Sequence, residues 1–369
     1  LDLNIGNAWN TVLDAFGMST GAPFGNQAGT VMAMACLGNG GPYLDRLINH
    51  IYGAKLDLES CIKNEQDKYD ISNGLQRATE HVIKNLLSKY LQNKKEVNLC
   101  ISGGCALNSV AMGKIQDWFP QVKDVYIPPI PYDAGLAIGS AQYVWHSVLG
   151  KKRVHWNDNC TPYLGRTYDE KIILDAILEN DQFIKSKIID DNELINLLFD
   201  QNIISVFGGG SESGRRALGN RSIIADPRNS NMKDIINQKV KHRQWFRPFA
   251  PSILRSEVPK WFKRDVNSPY MTHVVKWREK MVNKVPAVVH IDKTARIQTV
   301  TKNDNKWYYE LLKKWEKRSK VPILLNTSFN DREPIVESPS HALKCFLNTN
   351  IDFLYFYDFN ILIKKKIVK

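Results

Sequence analysis

The stretch VNLCISGGCALNSVAMGK at residues 97–114 decides the fold class. It predicts an apolar strand at 97–101, the turn Ser102-Gly103-Gly104 and a helix over 106–114. The same order returns at residues 124–148, where a strand at 124–128 leads through Tyr132-Asp133-Ala134-Gly135 into a helix of small residues. Strand, glycine turn and helix, repeated, predict an α/β domain with ligand-binding loops at the strand ends.

Further elements are predicted on both sides of this stretch. Apolar residues at steps of three or four, from Ile71 to Leu86, predict an amphipathic helix over 68–92. The pattern weakens over residues 151–195 and then resumes, so we expect two domains. The later pattern predicts helices at 191–200, 229–242 and 304–318 and strands at 203–207, 286–290, 296–300 and 321–325.

Composition excludes several classes of protein. Of the 369 residues, 43% are hydrophobic and 24% are charged, which is typical of globular domains and not of disordered, collagen-like or coiled-coil chains. No run approaches 18 uninterrupted apolar residues, so we expect no membrane-spanning helix and no membrane partner. Six cysteines form no CxxC pair, and Cys100 and Cys105 lie in an apolar segment. They are predicted to be buried thiols, which favours a reducing, cytoplasmic compartment.

Positive charge is concentrated in one part of the chain. The formal net charge is +12, and residues 215–247 carry nine basic residues against two acidic ones. The run FRPFAP at 246–251 closes this basic region and indicates partly buried backbone, so the charges are expected to converge on a bound anion. A nucleic acid would use the same charges, with Trp245 stacking on a base, but the chain shows no known RNA-recognition or helix-turn-helix pattern.

Other candidate sites stay open to two interpretations. Gly103-Gly104 suits a phosphate loop or a plain tight turn, and Asp133 suits a metal ligand or a helix N-cap. The segment NTSFN at 326–330 suits a phosphate-facing loop or a polar turn, and Asp292 with Arg296 suits an ion pair or the same anion site. The histidines show no HxxxH or HExxH spacing, and the absence of GxSxG and Walker A motifs disfavours serine hydrolases and P-loop NTPases.

Taken together, the segments RALGNRS (216–222), FRPFAP (246–251), DKTAR (292–296) and NTSFN (326–330) resemble the NodU/CmcH family of O-carbamoyltransferases, which includes tobramycin-type enzymes. The resemblance follows the family order through nearly the whole chain. It implies the C-terminal half of an actin-like ATPase-superfamily domain at 1–165, a connector at 166–195 and an α+β YrdC-like domain at 196–369.

The resemblance also implies a reaction and the residues that perform it. The YrdC-like domain would make carbamoyl-adenylate from carbamoyl phosphate and ATP, and the actin-like domain would transfer the carbamoyl group to a small-molecule hydroxyl, with a divalent metal (Mg or Fe) holding the nucleotide. Lys241, Arg247 and Ser328 match catalytic positions. The family positions that bind carbamoyl phosphate or nucleotide are matched by Arg216, Arg221, Arg296, Asn326, Gly103 and Gly104. The family's metal ligand is matched by Asp133.

Three departures from the family pattern qualify the resemblance. Arg215 replaces a proline, and Lys293 replaces the glycine of Asp-Gly-Thr-Ala-Arg. The family's N-terminal segment, with an HxxxH metal pair, is missing, so we expect either a fragment or a separate N-terminal half-domain subunit. For the carbamoyltransferase no specific nucleic acid is expected as a partner. The alternative functions are a nucleic-acid-binding or tRNA-modification component that uses the same folds, and a degenerate partner subunit.

Overall fold

The computed structural model describes residues 3–19, 27–154 and 161–366 and divides the chain into two compact units, Leu1–Ile127 and Pro128–Lys369. Unit one is mostly helical, with a small sheet in which β1 and β2 pair in parallel. Its elements are α1 (Ile5–Ala15), α2 (Ala28–Met34), α3 (Leu44–Ile51), α4 (Glu65–Leu91), β1 (Val97–Cys100), α5 (Ser109–Trp118) and β2 (Val122–Tyr126).

The predicted amphipathic helix is confirmed as α4. Asn64 begins it with a capping box: its side chain accepts from the Asp67 N–H, and the Asp67 carboxylate accepts from the Asn64 N–H. Of the apolar residues that predicted it, Ile71, Leu75, Ala78 and Val82 are buried, while Leu86 is exposed. The expected helix over 106–114 is a 3-10 turn, Gly104–Leu107, followed by α5, because Asn108 caps a new helix through the Ala111 N–H.

Unit two contains a nine-stranded mixed sheet. Its helices are α6 (Leu136–Tyr143), α7 (Glu170–Leu178), α8 (Asp191–Phe199), α9 (Met232–Lys239), α10 (Val258–Trp261), α11 (Glu279–Val282), α12 (Lys306–Ser319) and α13 (Pro339–Asn348). Its strands are β3 (Ile184–Ile188), β4 (Ile204–Phe207), β5 (Arg221–Ala225), β6 (Ala250–Leu254), β7 (His273–Lys276), β8 (Thr294–Val300), β9 (Ile323–Ser328), β10 (Phe353–Phe356) and β11 (Ile361–Lys365).

The strand order is β3-β11-β10-β4-β5-β9-β6-β8-β7. The β10–β4 and β6–β8 pairs are parallel and the other pairs are antiparallel. One face of the sheet packs against α7, α9 and α13 and the other against α8 and α12, so successive strand residues enter alternate cores. The α/β prediction is therefore confirmed at the level of a mixed α/β fold, while the actin-like and YrdC-like descriptions stay predictions.

Some sequence-based expectations meet a different backbone. Residues 286–288 form a 3-10 turn instead of a strand, because Pro286 fixes its φ angle and lacks an N–H for a ladder. The helix expected at 229–242 ends at Lys239, and His242 takes a positive φ of 43°. The segment expected as a connector, 166–195, forms α7 and β3, and β3 pairs with β11 in the sheet. The predicted domain boundaries themselves stay predictions.

Two further expectations concern the environment of the chain. Cys100 and Cys105 are both exposed, so the prediction of buried thiols is wrong. Side chains along β1 alternate in exposure and Cys100 lies on the outer face, while Cys105 is in the turn that follows. Among the described residues, no helix is both long and apolar enough to cross a membrane.

Candidate active site

Glu212 organises the loop that leads into β5. One of its carboxylate oxygens accepts three main-chain N–H groups, from Leu218 at 2.7 Å, Asn220 at 2.9 Å and Arg221 at 3.2 Å. Burial raises the pKa of this carboxyl, and the N–H donors oppose that shift. Arg216 lies between Glu212 and the three residues that donate to its carboxylate. Glu212 therefore fixes the backbone that carries Arg216, the first of the predicted anion ligands.

Gly219 is required by the shape of the same loop. Its φ angle is +118°, and a β-carbon at this position would lie 2.7 Å from the Tyr308 ring. Both the backbone conformation and the missing space exclude a larger residue. The glycine of RALGNR is therefore a packing requirement that brings the loop against α12.

Arg221 is fully buried and engaged by main-chain oxygens. Its guanidinium donates to the Gly208 oxygen at 2.7 Å and to the Asn220 oxygen at 3.0 Å, and it lies 3.6 Å from the centroid of the Phe207 ring. In this structure the arginine supports the glycine-rich loop after β4. A contact of Arg221 with phosphate stays a prediction.

Buried amides join the Arg216 loop to the sheet. Asn326 donates from Nδ2 to the Gln298 side-chain oxygen at 2.9 Å, to Ser252 Oγ at 3.0 Å and to the Ala217 main-chain oxygen at 3.2 Å. Gln298 in turn donates to the Leu218 oxygen at 2.9 Å. The Asn326 Oδ1 atom is buried and has no hydrogen-bond partner within the described part of the chain. The network therefore fixes the amide and leaves one acceptor beside the loop.

Lys241 fastens the end of β9. The Nζ atom donates to the Ser328 oxygen at 2.5 Å, the Asn330 oxygen at 2.8 Å and Asn330 Oδ1 at 2.6 Å, and Ser328 Oγ lies 3.2 Å away. The side chain is buried, and burial with the charges of Arg243 and Arg247 holds its pKa well below the usual lysine range. Sequence reasoning placed Lys241 and Ser328 together, and the structure shows them in contact.

Burial lowers the pKa of four guanidinium groups in this region, as it lowers that of Lys241. Burial lowers the pKa of Arg216 well below its ordinary value, and the charges of Arg296, Arg215 and Arg247 add to this. Burial also lowers the pKa of Arg296 to about 10, with Arg243 and Arg247 contributing. We call this set the cation cluster, and its members are Arg216, Lys241, Arg243, Arg247 and Arg296.

The cation cluster has no balancing carboxylate on its central arginines. Among residues 3–19, 27–154 and 161–366, no carboxylate forms an ion pair with Arg216, Arg247 or Arg296. The Arg296 Nε atom is buried and makes no hydrogen bond to the described residues. Half-buried guanidinium groups that repel one another and lack carboxylate partners are suited to an oxyanion, because such an anion satisfies both their charge and their N–H groups.

Arg243 differs from the rest of the cation cluster. Its Nε donates to Asn237 Oδ1 at 2.8 Å, and its guanidinium lies 4.6 Å from the Phe249 ring centroid. Residue type alone does not tell whether Arg243 faces solvent. In the structure its side chain stabilises the turn between α9 and β6 through hydrogen bonds to Asn237 and Pro248. Its charge also lowers the pKa values of Lys241 and Arg296.

Two of the three departures from the family pattern, Arg215 and Lys293, lie close to this site in the sequence. Lys293 has a φ of 58°, in the left-handed region where the family's glycine costs nothing. Arg215 is exposed, with its guanidinium 5.6 Å from the centroid of the Tyr132 ring. Neither substitution removes a member of the cation cluster.

The remaining predicted residues lie outside the cation cluster. Gly103 and Gly104 are exposed in unit one, and Gly103 has a φ of +98° that suits a tight turn. Asp133 is exposed at the start of a 3-10 turn in unit two. The described residues contain no group of three or more His, Cys, Asp or Glu side chains that could hold a metal ion. Asp133 alone does not fit a bound metal, and its role stays a prediction.

Sequence reasoning missed Glu212, Gln298 and Asn330. Asn330 stands within the segment NTSFN and Glu212 lies four residues before RALGNRS, but both hold main-chain groups, a role that residue type alone does not reveal. Gln298 follows Arg296 by two positions on β8 and so lies on the same face of the strand. That period of two was the available signal for it.

Two family models match the sequence of this chain. One described as the carbamoyltransferase N-terminus matches residues 15–142, and one described as the carbamoyltransferase C-terminus matches residues 195–364. The chain therefore belongs to the carbamoyltransferase family, as its motifs predicted.

Individual relatives include nodulation proteins. NolO of Bradyrhizobium diazoefficiens is 37% identical over 300 residues, covering 78% of this chain and 54% of the relative. NolNO of Sinorhizobium fredii is 35% identical over 345 residues, covering 89% of this chain and 49% of the relative. The chain thus spans about half the length of the curated relatives it matches. Full-length HypF, solved in a phosphate- and nucleotide-bound form, aligns with a TM-score of 0.32 and 14% identity over 50% of this chain and 23% of that one.

Proposed function

We propose that unit two forms carbamoyl-adenylate from carbamoyl phosphate and ATP, as the activation half of an ATP-dependent O-carbamoyltransferase. The observation that carries the proposal is the cation cluster, five basic side chains whose pKa values are all lowered, with no carboxylate paired to Arg216, Arg247 or Arg296 among the described residues. Both substrates are phosphate anions, so their binding would offset the repulsion between these side chains.

The cation cluster suits the chemistry of this activation. The overall reaction consumes carbamoyl phosphate, ATP and one water and yields carbamoyl-adenylate, pyrophosphate and phosphate. Negative charge builds on the leaving pyrophosphate oxygens, and fixed cations stabilise that charge without having to reorganise. In this proposal Arg247 and Arg296 bind phosphate oxygens through paired N–H groups, and Lys241 orients Ser328 at the edge of the site.

Hydrogen bonds that hold the surrounding loop and strands support this proposal. The loop that carries Arg216 is held by Glu212, and β9 is held to β6 and β8 through Asn326. Positioned donors lose little entropy when they bind an anion, so such a site favours a small phosphate ester over a flexible polymer.

The test is carbamoyl-phosphate-dependent exchange of labelled pyrophosphate into ATP. The wild-type chain should show exchange, Lys241→Met should lose most of it, and Lys317→Ala should leave it unchanged. Lys317 is the matched control, because it removes one positive charge from the exposed side of α12. Absence of exchange together with tight RNA binding that weakens steeply with salt would instead favour the nucleic-acid alternative.

We further propose that the carbamoyl group passes to the hydroxyl of a small molecule and that a separate N-terminal half-domain completes the transfer unit. The experiment is to assay the chain on a panel of hydroxyl compounds, with and without a co-expressed N-terminal partner. Carbamoylated product that forms only with the partner supports the proposal. Efficient transfer by this chain alone would overturn the requirement for a partner.

A further inference from the structure

His290 ends a hydrogen-bonded relay at the start of β8. The main-chain N–H of His290 donates to the main-chain oxygen of Thr294 at 2.9 Å. The main-chain N–H of Lys293 donates to the main-chain oxygen of His290 at 2.9 Å, which closes a tight turn. On the side-chain level, Thr294 Oγ1 donates to Asp292 Oδ1 at 2.6 Å, and His290 Nδ1 lies 3.2 Å from Thr294 Oγ1. Asp292, Thr294 and His290 are therefore connected in series.

The relay assigns the tautomer of the imidazole. A threonine hydroxyl has one hydrogen, and the short contact to the acceptor-only carboxylate of Asp292 uses it. Thr294 Oγ1 therefore has only lone pairs to offer His290, so Nδ1 carries the ring proton and donates. It follows that Nε2 is unprotonated and available as an acceptor.

The Nε2 atom is buried and has no hydrogen-bond partner among the described residues. Burial lowers the pKa of His290 to about 4, and the charges of Arg296 and Lys233 lower it too, while Asp292 and a main-chain hydrogen bond at Phe249, which the protonated ring makes, raise it. The ring is therefore neutral at pH 7 and keeps its lone pair beside the cation cluster. An acceptor left without a donor in such a place is costly, and functional sites are where such groups occur.

The cation cluster itself cannot recognise an amide. Guanidinium and ammonium groups only donate hydrogen bonds, so they bind the phosphate and carbonyl oxygens of an acyl phosphate and cannot read its –NH₂ group. Arg296 lies two residues beyond Thr294 on the same face of β8, and its charge is one of those that lower the pKa of His290. Recognition of the –NH₂ group therefore needs an acceptor, and two buried acceptors without a partner among the described residues are Asn326 Oδ1, at the loop that carries Arg216, and His290 Nε2.

We propose that His290 Nε2 accepts a hydrogen bond from the carbamoyl –NH₂ group and so selects carbamoyl phosphate over acyl phosphates that lack an N–H. This inference rests on the proposed function and adds a specificity-determining residue to it. Asp292 and Thr294 act as positioning residues that hold the acceptor tautomer. The competing arrangement places a proton on Nε2 and turns it towards the Phe249 carbonyl, which would make His290 purely structural.

The experiment compares three probes by calorimetry, namely inorganic phosphate, carbamoyl phosphate and acetyl phosphate, whose methyl group replaces –NH₂. The wild-type chain should bind carbamoyl phosphate more tightly than acetyl phosphate. His290→Phe should weaken carbamoyl phosphate binding by roughly 5- to 10-fold, the size of one neutral hydrogen bond, and leave the other two probes within about 2-fold. His290→Gln, which keeps a carbonyl oxygen near the position of Nε2, should recover most of the loss.

Further variants separate a recognition role from a structural one. Thr294→Val should reduce the preference for carbamoyl phosphate, because it frees the ring to change tautomer, and the exposed His81→Gln on α4 should change nothing. Nitrogen-15 NMR of the wild-type histidines should show a ring protonated at Nδ1 that responds to carbamoyl phosphate. A ring protonated at Nε2, or equal weakening of all three probes in His290→Phe, would overturn the inference.

The outcomes also separate this inference from the proposed function. If the wild-type chain binds none of the three phosphates, the proposed function fails. If it binds phosphate and treats the two acyl phosphates alike, the proposed function stands and the role of His290 is refuted.

Discussion

Arg247→Met should weaken anion binding without weakening the fold. The charge of Arg247 contributes to the lowered pKa values of Arg216, Lys241, Arg243 and Arg296, so it influences every other member of the cation cluster. Methionine keeps an apolar stem and removes the charge. Without an anion, the substitution relieves repulsion among half-buried cations. We therefore expect the free energy of unfolding to be unchanged or raised by about 1 kcal/mol.

The effect on binding has the opposite sign. A hydrogen bond to a charged group contributes about 1.5–3 kcal/mol, so the loss of the guanidinium should raise the Kd for inorganic phosphate by roughly 10- to 150-fold. Calorimetry with phosphate and carbamoyl phosphate measures the binding change, and denaturant unfolding in phosphate-free buffer measures the stability. Saturating phosphate at about 100 times Kd should stabilise the wild-type chain by about 2.7 kcal/mol and the variant by much less.

Arg243→Met is the matched comparison. Its N–H groups are bound to Asn237 and Pro248, so its loss should lower the free energy of unfolding by about 1–3 kcal/mol. The reasoning is refuted if Arg247→Met destabilises the phosphate-free chain as much as Arg243→Met does and leaves the Kd for phosphate unchanged. Arg247 would then be a structural residue, and the anion site would lie elsewhere.

Three further substitutions test the loops that carry the site. Lys293→Gly should raise the free energy of unfolding by about 1 kcal/mol in denaturant titrations, because it removes a side chain from the left-handed region; a loss of stability would contradict this. Gly219→Ala should lower it by about 1–3 kcal/mol and reduce pyrophosphate exchange, since the loop must move away from Tyr308; unchanged melting and exchange would disprove the packing argument. Glu212→Gln should also cost about 1–3 kcal/mol at pH 7. The difference in free energy of unfolding between wild type and Glu212→Gln should widen as the pH falls, because a carboxyl whose pKa is raised in the folded state adds stability on protonation. A difference that narrows would show that the pKa of Glu212 is not raised.

Elements with a strong period were predictable from the sequence. The helix from Glu65 to Leu91 and the strand from Ile204 to Phe207 follow from apolar spacing and from a short β-branched run, because burial itself imposes those periods. The segment at 286–290 was misjudged, since its apolar residues are buried in a turn that a proline begins. Apolar content alone does not distinguish a buried strand from a buried turn.

The candidate site was predictable in composition and only partly in geometry. Clustered basic residues bounded by aromatic residues and prolines pointed to a partly buried anion site, and Lys241 does contact Ser328 across 87 residues of sequence. Arg221 looked like the other arginines in sequence, yet its guanidinium binds the oxygens of residues 208 and 220. Which carbonyl groups lack an N–H partner is decided by the folded loop, and residue type does not carry that information.

The division of labour among the arginines follows from the carbonyl groups around each one. Protein oxygens already accept from both Arg221 and Arg243: the terminal nitrogens of Arg221 donate to main-chain oxygens, although its buried Nε has no partner among the described residues, and Arg243 Nε donates to Asn237. Arg296 has a buried Nε without such a partner, and Arg216 and Arg247 have no carboxylate opposite them in the part of the chain that the structure describes. Charge that the protein leaves unsolvated is the charge available to a ligand, because only there does binding replace a missing interaction. On this basis we propose that Arg216, Arg247 and Arg296 bind the substrate phosphates, and that Arg221 and Arg243 support the loops that carry them.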